Sequence, residues 1–159
     1  FALGWGFPDA PNFIKAQGVA PAVMRGTWGV VQNVLVEGRL PRSLKEMIFV
    51  AISVDRNCGY CEAAHLACCR MLGVDDETLT TLVQNVDQML PTRARDIITF
   101  AVKCARTPQG LDDDDFNLMR SHGLGDAELM ELIAMSALAV YANTLADAMA
   151  VEPDSIFFS

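Results

Sequence analysis

Apolar residues recur at helical spacing along almost the whole chain. In PAVMRGTWGVVQNVLVEG, Val23, Trp28, Val31 and Leu35 fall on one rough stripe, and Glu37 with Gly38 ends it. PRSLKEMIFVAISV opens on Pro41, a favoured helix-start residue, and spaces Leu44, Ile48, Ala51 and Ile52 about one turn apart. Its tail, MIFVAISV, has the composition of a strand. No strand partner occurs elsewhere in the sequence, so a buried helix is expected. Positions 59–72 predict a helix stopped by Gly73. DDETLTTLVQNVDQML predicts a helix begun by acidic caps. PTRARDIITFAVKCART again begins on a proline, and DDDDFNLMRSHG is a short helix with an acidic start, ended by Gly123. GDAELMELIAMSALAVYANTLADAMAV is the longest and most apolar segment and should be mostly buried. The expected fold class is all-α.

The pattern also echoes itself. LPRSLKEMIFVA at Leu40 and LPTRARDIITFA at Leu90 align without gaps at a shift of about fifty residues. Further along, Arg56, Arg70, Gly73, Asp76, Leu79 and Leu82 recur as Arg106, Arg120, Gly123, Asp126, Leu129 and Leu132. Glu46 maps to Asp96. The reading is one domain over 1–159 holding two degenerate copies of a helix-pair unit, 40–89 and 90–139, related by a pseudo-twofold. Cys58, Cys61 and His65 map to Pro108, Leu111 and Asp115, so the second copy keeps the frame and lacks the sulfur chemistry.

Of the 159 residues, 52% are hydrophobic and 20% charged, which suits a globular core and excludes disorder. The net charge of −8 disfavours nucleic acid and anionic membranes as partners. No apolar run is expected to reach membrane-spanning length, since Lys45, Glu46, Asp55 and Arg56 close off the most apolar stretch. No secretory signal is visible, although the first residue is Phe. The five cysteines are odd in number and clustered, which fits a reducing cytoplasm and a reactive or metal-binding site better than a disulfide framework.

Four of those cysteines lie in VDRNCGYCEAAHLACC. Cys58 and Cys61, spaced C-x-x-C at a helix start, can reach each other to form a disulfide. Backbone amides and the helix dipole there favour a thiolate. His65 lies four residues past Cys61, on the same face, where an imidazole can take the thiol proton. Cys61 is therefore assigned as nucleophile and Cys58 as resolving thiol. Peroxide would oxidise Cys61 to the sulfenic acid, Cys58 would condense with it, and an external dithiol would reduce the disulfide. Glu46, on the preceding apolar helix, is the best candidate to orient His65; Glu62 and Asp55 are weaker ones.

Blander readings compete. A zinc site from Cys58, Cys61, His65 and Cys68 or Cys69 draws every ligand from one short segment, whereas structural zinc usually joins two. Cys68, Cys69 and Cys104 read as small core residues. His122 reads as a helix C-terminal residue favoured by the dipole. Asp112 to Asp115 read as a solvated helix start rather than a calcium loop. A non-enzymatic redox-sensing or zinc-binding helical module, or a scaffold carrying a relic pair, remains the alternative to an enzyme.

Glu46, eleven residues, then Cys58-x-x-Cys61-x-x-x-His65 resembles the alkylhydroperoxidase D-like (AhpD-like), peroxidase-related branch of the carboxymuconolactone decarboxylase family. LVEGRLPRSLKEMIFVAISVDRNCGYCEAAH resembles the core helix pair of that family, and YANTLADAMAVEPD its closing helix. The resemblance implies an AhpD-like all-α fold and a homo-oligomer, often a trimer or hexamer. It implies thiol-dependent hydroperoxide or disulfide chemistry without a cofactor or metal, with a lipoyl or thioredoxin-like dithiol as reductant. By position it makes Cys61 the attacking thiol, Cys58 the resolving thiol, and His65 with Glu46 the proton relay. One departure stands out: Tyr60 replaces the histidine that alkylhydroperoxidase D proteins carry before the second cysteine, and a phenol is a poor proton acceptor at neutral pH. Asn143 falls where related chains often place an asparagine and is a candidate supporting hydrogen-bonding residue.

Overall fold

A computed structural model describes residues 9–89 and 91–158; Leu90, which opens the second copy of the sequence echo, lies outside the described residues. In chain order the chain forms α1 (Asn12–Ala16), α2 (Pro21–Val30, continued by a π-helical stretch, Val31–Val36), α3 (Arg42–Asp55), α4 (Gly59–Met71), α5 (Asp76–Gln84), α6 (Thr92–Arg106), α7 (Asp113–Ser121) and α8 (Asp126–Ala148). Short 3-10 turns cover Gln17–Val19, Val86–Gln88, Pro108–Gly110 and Ser155–Phe158. No strand occurs among the described residues, and the fold is all-α as expected.

Helix α3 is the centre. It packs against α4, α5, α6 and α8. Every residue from Leu44 to Ser53 is buried, so the middle of this helix has no solvent face. Enclosure explains why the β-prone MIFVAISV run is helical. A segment walled in by helices must satisfy its backbone groups within itself, and an α-helix does that without a partner strand.

Two charged residues are buried in this helix, Lys45 at 1% and Glu46 at 0% exposure. Lys45 Nζ donates to the Val34 carbonyl at 2.9 Å, to the Glu37 carbonyl, and to Glu131 Oε1 on α8 at 2.8 Å. The first two acceptors lie at the end of the π-helical stretch, where carbonyls run out of helical partners. Glu131 also accepts from the Arg39 and Leu40 amides, at 2.8 and 3.2 Å. Burial alone would push Glu131 up, but Lys45 and those amides hold its carboxyl below the usual range. Gly38, at φ +115°, runs directly beneath this carboxylate, which a Cβ would strike.

The second helix departs from the continuous α-helix expected through Val36. Its last six residues widen into a π-turn, with Glu37 N bonded to Gln32 O at 2.9 Å. The expected stripe holds only in part: Val31 and Leu35 are buried, whereas Val23, in the first turn of the helix, is 45% exposed. The fifth helix is shorter than its sequence pattern, because Asn85 leaves helical geometry and a 3-10 turn follows.

Two helix ends are closed in the same way. The Gly73 and Val74 amides bond to Arg70 O and Cys69 O, with Gly73 at φ +82°. Fifty residues on, the Gly123 and Leu124 amides bond to Arg120 O and Met119 O, with Gly123 at φ +85°. Glycine takes this left-handed position without a Cβ penalty. Arg70 pairs with Asp76, and Arg120 with Asp126. The acidic run starts α7: Asp112 caps the Asp114 and Asp115 amides, and Asp115 returns a bond to the Asp112 amide.

One expectation is corrected. Asp126–Ala148 is long and apolar enough to cross a membrane by length and composition, with a mean hydropathy of 1.5. It serves here as a core helix, packed on α3 and α6.

Replacing Lys45 by Met leaves Glu131 and two terminal carbonyls without their cation. It should lower the unfolding free energy by about 3 kcal/mol, read from the urea midpoint. An unchanged midpoint would refute this role. Because Glu131 is held low in the folded state, its contribution is present at neutral pH and fades as pH falls through the carboxylate range.

Candidate active site

The chain turns from α3 into α4 within three residues. Asn57 takes φ 57°, a left-handed conformation that asparagine tolerates better than most residues. The turn sets Cys58 at the N-cap of α4, its amide bonded to Ser53 O at 2.9 Å. Cys61 follows in the first turn. Both are free thiols, 0% and 2% exposed.

The two sulfurs are not equivalent. Hydrogen bonding from Cys61 draws the Cys58 thiol below its ordinary pKa, against the opposing effect of burial. The same bond, with burial added, pushes Cys61 far up. Of the two thiols, Cys58 is therefore the easier to ionise and Cys61 the harder. This order opposes a nucleophilic Cys61, whereas access favours one. Cys61, and not Cys58, lines a narrow apolar cavity, together with His65, Val31, Leu35, Phe49 and Phe157.

Glu46 and His65 are brought together across the contact between α3 and α4. Glu46 Oε2 lies 2.6 Å from His65 Nδ1, and Glu46 Oε1 accepts from Arg42 Nε at 3.2 Å. Phe49, one turn beyond Glu46 on α3, stacks on the imidazole at 3.6 Å between ring centres. The ring is therefore held at one nitrogen and along one face, with Nε2 on its far edge. Both residues are buried.

The chemistry of the remaining thiols follows from their neighbours. Glu46, His65 and Cys68 bring oxygen, nitrogen and sulfur donors within 4.8 Å of one another. This differs from the zinc set weighed from spacing, because it includes Glu46 and leaves out Cys58 and Cys61. The Arg42 guanidinium on Glu46 opposes a second cation there. Cys69 is buried, and burial together with the Glu46 charge raises its pKa, keeping it a thiol. Cys104 is buried beside Ser136. His122 is the C-cap of α7, as placed from sequence, and its Nε2 also pairs with Asp96 Oδ2 at 2.8 Å.

Tyr60 faces away from proton relay. Its hydroxyl accepts from the Phe13 amide at 3.1 Å and donates to Asp154 Oδ2 at 3.1 Å. Asp154 in turn accepts from the Asn12 amide at 3.1 and 3.0 Å. The phenol thereby ties α1 and the C-terminal segment together, and Phe13 and Phe157 of those segments form part of the cavity wall. Asn143 is fully buried on α8, its Nδ2 bonded to Ser53 Oγ at 3.0 Å and its backbone carbonyl 4.0 Å from Cys58 Sγ.

Residues 19–90 match the model of the carboxymuconolactone decarboxylase family. The whole fold matches solved structures. The alkylhydroperoxidase AhpD core, an uncharacterized peroxidase-related protein from Ralstonia eutropha JMP134, is 26% identical with a TM-score of 0.90 over 99% of this chain and 83% of its own. An uncharacterized peroxidase-related protein from Silicibacter sp. TM1040 is 28% identical with a TM-score of 0.87 over 92% of this chain and 78% of its own. The chain has the AhpD-like all-α fold, and its residues 19–90 are similar to the carboxymuconolactone decarboxylase family. The debrominase Bmp8 shares the fold at 19% identity, with a TM-score of 0.82 over 99% of this chain and 83% of its own. No curated protein matches this AhpD-like chain.

Sequence reasoning missed the ring that holds His65 and the carboxylate that holds Tyr60. Phe49 was discoverable, because it lies one turn from Glu46 on the same helix. Asp154 had no local signal, since its partners are 94 and 142 residues away.

Replacing Tyr60 by Phe removes the link between the two terminal segments and leaves the Phe13 amide unpaired. The expected result is faster alkylation of Cys61 and a stability loss of about 1–2 kcal/mol. Alkylation at the wild-type rate, followed by mass spectrometry, would show that Tyr60 does not hold the cavity shut.

Proposed function

We propose that the protein is a thiol-dependent peroxidase that reduces organic hydroperoxides, turned over by an external dithiol. The observation that carries this reading is the buried Glu46–His65 pair one turn from Cys61, at an apolar cavity, with Cys58 hydrogen-bonded to Cys61.

Cys61 is the attacking sulfur because it faces the cavity. Its proton leaves to His65, whose imidazolium is stabilised by the Glu46 carboxylate. The Cys61 thiolate attacks the terminal peroxide oxygen, the O–O bond breaks, and the alkoxide takes the proton from the His65 imidazolium to leave as the alcohol. Cys61 is then a sulfenic acid. Cys58 attacks its sulfur, water leaves, and a Cys58–Cys61 disulfide remains. A lipoyl or thioredoxin-like dithiol returns the pair to thiols, so the two electrons given to the peroxide come finally from that donor. The apolar wall favours an organic hydroperoxide over hydrogen peroxide. No metal or cofactor is needed for these steps. The family resemblance supports a homo-oligomer, and the reducing chemistry fits a cytoplasmic setting.

Turnover of an organic hydroperoxide with a dithiol donor tests this. Cys61→Ser should abolish it, Cys58→Ser should leave Cys61 as a trappable sulfenic acid, and His65→Ala should slow attack about 100-fold or more. Full activity in Cys61→Ser sinks the mechanism, as does a wild type that turns over with no dithiol tried.

A further inference from the structure

The cavity at Cys61 is too small for the substrate proposed for it. Its volume is about 20 Å³, room for roughly one water. A cavity that takes up a single benzene ring measures on the order of 150 Å³. An organic hydroperoxide therefore reaches Cys61 only when part of the wall gives way. Val31, Leu35, Phe49 and Ala64 form the inner side, on segments packed together around α3. The outer side includes Phe157, on the four-residue 3-10 turn beyond the last helix, and that turn rests on α4.

Phe157 borders more than this cavity. It also lines an open cleft of about 300 Å³ with Asn12, Lys15 and Asp154, and a second of about 330 Å³ with Glu62, Leu66 and Arg70. The residue thus stands between the buried thiol and two open spaces, each large enough to receive its ring. The ring itself is packed inward: Phe157 is 4% exposed and meets the Tyr60 ring edge-on, at 5.7 Å between centres and 74°. Pro11 borders the cavity and the first cleft as well, but its ring is closed onto the backbone and cannot swing. Phe157 can change rotamer while its amide stays on the Asp154 carbonyl, 3.0 Å away.

Moving this ring towards water is unfavourable unless something apolar takes its place. An apolar group of similar size restores the lost burial, whereas hydrogen peroxide, which has no such group, does not. Resting on the peroxidase reading, we propose that the Phe157 ring occupies the subsite for the apolar group of the substrate. The substrate class is then a hydroperoxide bearing an aryl or branched alkyl group of about the size of a phenyl ring. That group displaces the ring into a cleft, and the peroxide end points inward to Cys61 and His65. Phe157 takes no part in the chemistry and sets which substrates reach the thiol.

Steady-state reduction of cumene hydroperoxide and of hydrogen peroxide, with a dithiol donor, tests this in wild type, Phe157→Ala, Phe157→Leu and Phe157→Trp. The ratio of the two kcat/KM values should rise about 10-fold in Phe157→Ala. It should rise less in Phe157→Leu and fall below wild type in Phe157→Trp. The change should lie in KM for cumene hydroperoxide, because the groups around Cys61 are untouched. A second readout needs no turnover: alkylation of Cys61 by N-phenylmaleimide and by iodoacetamide, followed by mass spectrometry. Phe157→Ala should speed the aryl reagent about 10-fold more than the small one. Should Phe157→Ala fail to fold, Phe157→Leu and Phe157→Trp carry the same ordering. A peroxide ratio or an alkylation ratio that does not follow the size of residue 157 overturns the proposal, and Phe157 is then a plain cover or no barrier at all. If the wild type reduces no hydroperoxide, the peroxidase reading falls, and the alkylation ratio by itself supports or overturns an aryl-sized subsite at Phe157.

Discussion

Glu46 is a carboxylate with no exposed surface, and the geometry of the site hangs from it. Removing such a group from water costs several kcal/mol unless charge and hydrogen bonds replace the lost solvation. Here His65 Nδ1 bonds one oxygen at 2.6 Å and Arg42 Nε the other at 3.2 Å. No water can substitute for either, because the middle of α3 has no solvent face. The bond to His65 also crosses between two helices, so it sets how α4 is rotated about its own axis. With His65 fixed, Cys61 is fixed one turn earlier in the cavity wall, and Cys58 at the N-cap behind it.

Its neighbour Lys45 supports a different part of the same site. Lys45 ties the end of the π-helical stretch to Glu131 on α8. That stretch supplies Val31 and Leu35, which line the cavity beside Cys61 and His65. Adjacent residues of opposite charge, pointing to different partners, thus position the wall and the reacting groups from one helix. Stability and chemistry are linked for this reason. Loss of Lys45 would move the wall, whereas loss of Glu46 would release the imidazole.

Much of this was legible in the sequence because the signals are local. Helical periodicity, prolines at helix starts and glycines after helix ends gave seven of the eight α-helices among the described residues near their observed bounds; the short α1 was not predicted. The Glu46–His65 partnership was also legible, since an acid in an apolar helix demands a partner and the next helix offers one histidine. Two kinds of feature were not. The π-turn at Val31–Val36 changes the helical pitch that periodicity assumes, and nothing in the sequence marks where it begins. Long-range closure was invisible: Tyr60 looked like a weakened relay residue, and only its partners Phe13 and Asp154 reveal a latch. The fifty-residue echo reaches the helix ends at Gly73 and Gly123 and their Arg–Asp pairs, but the thiols have no counterpart in its second half.

The latch bears on how buried sulfurs can exchange with an external dithiol. At 0% and 2% exposure both sulfurs are closed off, and the terminal segments wall the cavity that Cys61 lines. The cover is held by few polar ties: the Asn12 and Phe13 amides and the Tyr60 hydroxyl, with Asp154 accepting from two of them. Each such bond is worth about 1 kcal/mol net, so their combined loss is a small local opening compared with unfolding the α3–α4 core. Opening there uncovers the cavity side of Cys61 and leaves the bonds of Glu46 to His65 and Arg42 intact, because neither bond involves a latch residue. The fold therefore separates two requirements that conflict in a single rigid pocket. In the proposed peroxidase, Glu46 and His65 are buried and fixed from the α3 side, and access is set from the termini, through a tyrosine next to Cys61 in sequence.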